Sequence, residues 1–262
     1  MLYASAMPDT PADHCQPFVL ETPVSTSLHF SFASIQSRMD ASRPDALELD
    51  YTALMMGFLL FLPAPQRIGM VGLGGGSLAK FCFRHLPASR IEVAEINPHV
   101  IVLRERFQVP ADGERFQVHC ADGAHYVQQV QGQLDLLMVD GFDLGGTPPA
   151  LCSQRFYEDC FDALQEQGVL VLNLHSGHID YALHLARLRQ CFGPQLLRVG
   201  LEASGNCIVL ACRGAAMSRL RGSLLRRPPG FDEQAWGQLL PAFEQVRAAW
   251  LKWQADSDQW KS

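Results

Sequence analysis

A run of glycines and four acids stand out in this sequence, because each sits where bare backbone or a carboxylate could grip a ligand. The glycines lie in residues 71–80, VGLGGGSLAK, as Gly72, Gly74, Gly75 and Gly76. Glycines there let the chain pass close to a bound molecule, and a helix starting behind them offers free N–H groups to an anionic or polar group. Glu95 follows about 20 residues later, the spacing at which an acid accepts hydrogen bonds from the two vicinal hydroxyls of a ribose. Asp122, in CADGA, could accept from the exocyclic amine of adenine, with the Gly123 backbone packed nearby. Asp140 and Asp143 occur in VDGFDLGG. Paired carboxylates attract an alkylammonium, and one of them can take its proton. That step is required because a protonated amine has no lone pair with which to attack carbon.

Each of these signals alone has an ordinary structural explanation. Tight strand-to-helix turns use glycine for steric reasons, Asp-Gly is a good turn pair, and acids at strand ends are often solvated. The constellation is more specific than its parts. Gly72, Gly74, Gly75, Gly76, Glu95, Asp122, Gly123 and Asp140 are expected to hold an S-adenosyl-type cofactor, with Asp140 and Asp143 as the catalytic acids. His175 and His178 could serve acid–base chemistry but read as loop or cap residues.

The elements that must position these residues follow a regular pattern. Apolar runs of strand length cover 68–73, 91–96, 116–120, 134–139 and 169–174, and helical segments cover 77–85, 98–107, 124–130 and 155–167. Asn97 before Pro98 is a good helix start, since Asn caps and Pro suits the first helical position. Strands alternating with helices imply βαβ units and a parallel sheet covered on both faces. After a helix over 178–192, strands at 196–201 and 207–212 are joined through a short connection containing Gly205, which implies a hairpin. The expected fold is therefore α/β, a Rossmann-like S-adenosylmethionine-dependent transferase fold. Its sheet is mostly parallel with a terminal antiparallel hairpin, preceded by a short N-terminal strand and helix lead-in.

In that lead-in, 18–22 and 28–35 read as pairing strands and 46–62 as an apolar helix. At the other end, 232–253 reads as an amphipathic helix, kinked at Pro241. Its stripe of Trp236, Leu239, Leu240, Phe243, Val246, Trp250 and Trp253 is expected to pack on the domain. The division expected is a lead-in over 1–65, a nucleoside-binding catalytic domain over 66–215, and a C-terminal linker and helix over 216–262.

Composition narrows the functional classes. The 262 residues carry a formal net charge of −6, which argues against nucleic-acid binding, since that needs a basic face. The basic cluster Arg219, Arg221, Arg226 and Arg227 sits beside Pro228 and Pro229 and reads as a solvated linker. No apolar run approaches the roughly 20 residues of a membrane span. The first fifteen residues lack a basic segment followed by an apolar core, so no secretion signal and a cytoplasmic location are expected. Eight scattered cysteines with no CxxC pair read as free thiols rather than a disulfide framework or a metal site.

The stretch 72–176, about 40% of the chain, resembles the spermidine synthase (polyamine aminopropyltransferase) family. The residues that carry the resemblance are VGLGGGS, VAEIN, ADGAHYV, VDGFDLGGTPPAL and SQRFYEDCFDALQEQGVLVLNL. The resemblance implies transfer of an aminopropyl group from decarboxylated S-adenosylmethionine to an amine such as putrescine. Glu95 would then bind ribose, Asp122 adenine, and Asp140 would help deprotonate the amine that Asp143 holds. Gln36 and Tyr51 would belong to the acceptor side, and the protein would be a homodimer without a metal.

Two departures bear on the chemistry. Gly74 stands where the family's loop carries an Asp that meets the donor's ammonium, and Gly141 stands where it has Ser. Without that Asp the case for the decarboxylated donor weakens, while the adenosyl site stays intact. A methyltransferase using intact S-adenosylmethionine on a small molecule, and a non-catalytic nucleoside-binding homologue, are the alternative expectations.

Overall fold

The computed structural model describes residues 14–32, 35–142, 146–201, 204–220 and 225–259. Near-continuous apolar runs bury both faces of a strand, and here they build a seven-stranded sheet. Four strands pair in parallel: β4 (Arg67–Val71) with β5 (Arg90–Glu95), β5 with β6 (Phe116–Cys120), and β4 with β7 (Leu134–Val139). A fifth parallel strand, β8 (Leu164–His175), adds to β7. The sheet ends in an antiparallel hairpin of β9 (Leu196–Gly200) and β10 (Asn206–Cys212), whose β10 lies between β8 and β9. The strand order is β6-β5-β4-β7-β8-β10-β9, the architecture expected from the sequence.

Period-two alternation sends neighbouring side chains of each strand into opposite cores. Met70, Met138 and Val171 enter one cluster, while Val71, Val139 and Leu172 enter the other. The second cluster is covered by α4 (Gly123–Gln129), α5 (Gln154–Ala163) and α6 (Tyr181–Phe192). The first takes in α1 (Asp50–Met55) with its 3₁₀ continuation Met56–Leu60, α2 (Ser77–His85) and the long α7 (Glu233–Gln259). The lead-in helix and the C-terminal helix thus share one core with the sheet. They approach closely at Gly57, where an added Cβ would come 2.7 Å from Val246 Cγ2.

Several local boundaries differ from the expected ones, and the lead-in helix with its 3₁₀ continuation covers Asp50–Leu60 in place of 46–62. The lead-in sheet consists of β1 (Phe18–Glu21), β2 (Ser25–His29) and β3 (Ser37–Asp40), so the second strand begins and ends earlier than 28–35. Thr22 sets this register, because its Oγ1 accepts the Val24 and Ser25 N–H groups and turns the chain at once. The short α3 (Pro98–Val102) stops before 107, as suits its β-branched Val100, Ile101 and Val102. Finally, α5 ends at Ala163 because Leu164 already pairs with Leu134, leaving a register shift between Leu134 and Leu136. α7 is one helix with Pro241 in its interior.

Trp250 anchors α7. Its ring is 2% exposed, and its Nε1–H donates to the Met217 carbonyl at 2.9 Å. Truncating a buried ring removes its apolar contacts and leaves a cavity, a loss of about 3–5 kcal/mol. Trp250→Ala is expected to lower unfolding free energy by that amount in urea titration; a change under about 1 kcal/mol would show α7 to be a peripheral addition.

Candidate active site

The strand order reverses at β4, with β5 on one side and β7 on the other. Crevices open at the carboxyl edge of such a switch point because successive connections leave toward opposite faces. Here the crevice is a cavity of about 340 Å³. Gly72, Gly74, Glu95, Asp122, Gly123 and Asp140 line it from the sheet, and Gln36, Ser37 and Tyr51 line it from the lead-in. Four sheet edges and the N-terminal segment therefore meet at one place.

The glycine turn does two jobs. Gly72 has φ +95°, and an added Cβ would overlap the Asp140 carbonyl, so only glycine lets the ends of β4 and β7 meet. Gly74 opens on the cavity, with only Ser37 Cβ near, at 3.8 Å from an added Cβ. Gly75 and Gly76, expected at the cofactor, do not line the cavity. A side chain at Gly75 would meet Ser37 Oγ at 2.6 Å and Phe107 Cδ1 at 2.8 Å, and one at Gly76 would meet Val109 Cγ2 at 2.5 Å, so these two glycines let the turn pack on β3 and on the segment after α3.

Glu95 is 8% exposed and held at both oxygens. Oε2 accepts the Leu73 N–H at 2.8 Å, and Oε1 accepts the Asn97 N–H at 2.9 Å. An ionised carboxylate can accept about four hydrogen bonds, so two sites stay open toward a diol. Asp122 is the N-cap of α4, its Oδ1 accepting from Ala124 and His125 N–H at 2.7 and 3.2 Å. Oδ2 takes no part in that cap. Gly123 is buried against Val71, and an added Cβ there would overlap the Val71 side chain.

Asp140 stands half-buried at the end of β7. Tyr51 donates its hydroxyl to Oδ2 at 3.0 Å, and Asn173 of β8 donates Nδ2 to Oδ1 at 3.0 Å. Asn173, 2% exposed, accepts in turn from Asn206 Nδ2 of β10 at 3.0 Å. Desolvation raises the Asp140 pKa above the usual carboxylate value, while the Asn173 and Tyr51 hydrogen bonds oppose it. Burial, and then the Asp140 charge, push the Tyr51 phenol well above its ordinary value, so it remains a donor. Because folding raises the Asp140 pKa, its stabilising contribution is complete below the ordinary carboxylate range and is lost as pH rises through the raised value.

Asp143 lies outside the described residues. His175 and His178 do not line the cavity. Among the described residues no group of three His, Cys, Asp or Glu side chains could hold a metal, and no helix is long and apolar enough to cross a membrane. Sequence reasoning missed Asn173 and Asn206. The signal was present for the first: an amide inside the otherwise apolar run VLVLNL has to find a partner when buried.

A crevice at the switch point of a mostly parallel sheet, with a buried acid at the end of β5 and a clamped acid after β7, is the architecture of a Rossmann-like transferase fold. A spermine/spermidine synthase domain model matches residues 48–191. The polyamine aminopropyltransferase of Neisseria meningitidis serogroup A is 37% identical over 203 residues, 77% of this chain and 77% of that protein. That of Chromobacterium violaceum is 42% identical over 188 residues, 71% of this chain and 72% of that protein. A crystal structure of spermidine synthase in complex with the transition-state analogue AdoDATO superposes with a TM-score of 0.65, at 20% identity, covering 89% of this chain and 83% of that one. The chain belongs to the spermine/spermidine synthase family.

Glu95 gives a test that needs no ligand. In Glu95→Gln, one of the two buried amides of Leu73 and Asn97 would face an NH₂ group in place of an acceptor. Thermal and urea unfolding of the unliganded variant should show a loss of about 1–3 kcal/mol. Wild-type stability would mean that this carboxylate does not hold the turn.

Proposed function

We propose that this chain is an aminopropyltransferase that uses decarboxylated S-adenosylmethionine to alkylate a small amine such as putrescine, releasing methylthioadenosine. The observation that carries the reading is the Asp140 carboxylate, fixed between Tyr51 and Asn173 on a cavity that also holds Glu95 and Asp122. The relatives named polyamine aminopropyltransferase, at 37% and 42% identity, support the same activity.

In this reading Glu95 accepts the ribose hydroxyls, Asp122 Oδ2 accepts the adenine amine, and the main chain of Gly72–Gly74 leaves room for the sulfonium arm. The reaction is a direct displacement. The amine nitrogen forms a bond to the carbon next to sulfur, the carbon–sulfur bond breaks with its electron pair on sulfur, and the amine's extra proton leaves to a base. Sulfonium is already a good leaving group, so alignment and proton removal are the protein's main tasks. Asp140 fits the base. Each of its oxygens holds one fixed donor and keeps capacity toward the cavity, and a raised pKa makes it a better proton acceptor. Asp143 is proposed to hold the amine acceptor. The alternative favoured by Gly74 is methyl transfer from the intact donor, since no carboxylate at that position would repel the donor's own.

Calorimetric titration with decarboxylated and intact S-adenosylmethionine, followed by product analysis with putrescine, separates these readings. The decarboxylated donor should bind more tightly and yield an aminopropylated amine; a methylated product would overturn the proposal in favour of the alternative. Asp140→Asn should lower kcat by about 10²- to 10⁴-fold while donor affinity stays within a few fold. Retained turnover would remove Asp140 from the mechanism.

The acid side of the pH–rate profile provides a further check. Activity requires ionised Asp140, so it should rise with pH through a value above the ordinary carboxylate range. Tyr51→Phe removes a donor that lowers this pKa, so the acid limb should move to higher pH. An unmoved limb, or one displaced to lower pH, would contradict the assignment.

A further inference from the structure

The cavity wall includes one titratable residue that the reaction above does not use. His14 lines the cavity and is half-buried, while Cys15 and Gln16 next to it are exposed. The strap carrying it is tied down where Asn97 Nδ2 donates to the Cys15 carbonyl at 2.9 Å. The same Asn97 gives its main-chain N–H to Glu95 Oε1 at 2.9 Å. Its Oδ1 accepts the His99 N–H at 3.0 Å, which caps α3 and fixes which side of the amide faces the strap. Consecutive Cα atoms are about 3.8 Å apart, so His14 is one residue removed from an anchor that itself touches Glu95.

The chemistry of the pair is complementary. A carboxylate only accepts, so Glu95 can bind the hydrogens of a ribose diol but leaves its oxygen lone pairs without a donor. An imidazole carries an N–H as well as an acceptor nitrogen and can supply what the carboxylate lacks. We propose that His14 is a nucleoside-contacting residue at the Glu95 end of the cavity, and that Asn97 is the positioning residue that ties its strap over the site. The proposal rests on the reading of this cavity as an adenosyl-donor site.

Calorimetric titration of the full chain with methylthioadenosine tests it. His14→Ala should weaken binding by roughly 3- to 10-fold, the range of one hydrogen bond, with the loss falling on donor KM rather than kcat. His14→Gln, which keeps a donor, should recover part of the affinity. Asn97→Ser retains a capping oxygen for α3 but loses the donor to Cys15, and it should weaken binding in the same direction. Unliganded thermal unfolding of His14→Ala should match wild type, so that a binding loss reports contact rather than misfolding. If wild type binds methylthioadenosine and His14→Ala binds it equally well, the His14 assignment fails while the donor-site reading stands. Loss in Asn97→Ser without loss in His14→Ala overturns it as well. If wild type does not bind methylthioadenosine at all, both fall together.

Discussion

The site is organised around a carboxylate with two fixed partners. Asp140 takes one hydrogen bond from Tyr51, which belongs to the lead-in helix, and one from Asn173, which belongs to the last parallel strand. Enclosing a carboxylate is costly unless hydrogen bonds replace the lost water, and single removal of such a partner is more damaging than the pair's net contribution suggests. The lead-in therefore has to dock on the sheet in one register for the acid to be satisfied. The shared core of α1, α2 and α7 on that face provides the docking. Asn206 extends the same constraint to the terminal hairpin, which fixes the Asn173 amide.

A second set of restraints holds the donor side. Glu95 joins the glycine turn, through Leu73, to the start of α3, through Asn97. Gly72 lets the turn lie against the Asp140 main chain. The two acids proposed for sugar and proton are thus linked through one short stretch of backbone, Gly72 and Leu73. A displacement of that stretch would move both. Two hydrogen-bonded carboxylates braced by the same turn give a site whose spacing is set before any ligand arrives, the condition under which alignment can contribute to a displacement reaction.

Much of this was legible in the sequence because the signals are local. Continuous apolar runs marked the parallel strands, Gly205 marked the hairpin, and the acids at 95, 122 and 140 each lie at or just past a strand end. What was not legible depends on tertiary partners. Residues 164–167, LQEQ, read as the end of a helix, yet Leu164 is drawn into the sheet by pairing with Leu134. Gly75 and Gly76 look the same as Gly72 and Gly74 in sequence, and only the positions of Ser37, Phe107 and Val109 show what a side chain there would meet. Asn173 announced a buried amide but not that its partner is Asp140. The tie between the segment carrying His14 and the start of α3 is one Asn97 side-chain bond to Cys15 across 82 residues, which no spacing rule would find.

The claim on which the account stands is that Asp140 is the group whose ionisation turns the reaction on. Carbon-detected NMR can follow the aspartate carboxyl groups through a pH titration, with Asp140 assigned by its absence in the Asn variant, and its midpoint can be set against the acid limb of kcat/KM. The account predicts that the two coincide, at a pH above the ordinary carboxylate range. An Asp140 that titrates at or below that range, or a rate profile that turns on at a clearly different pH, would contradict it.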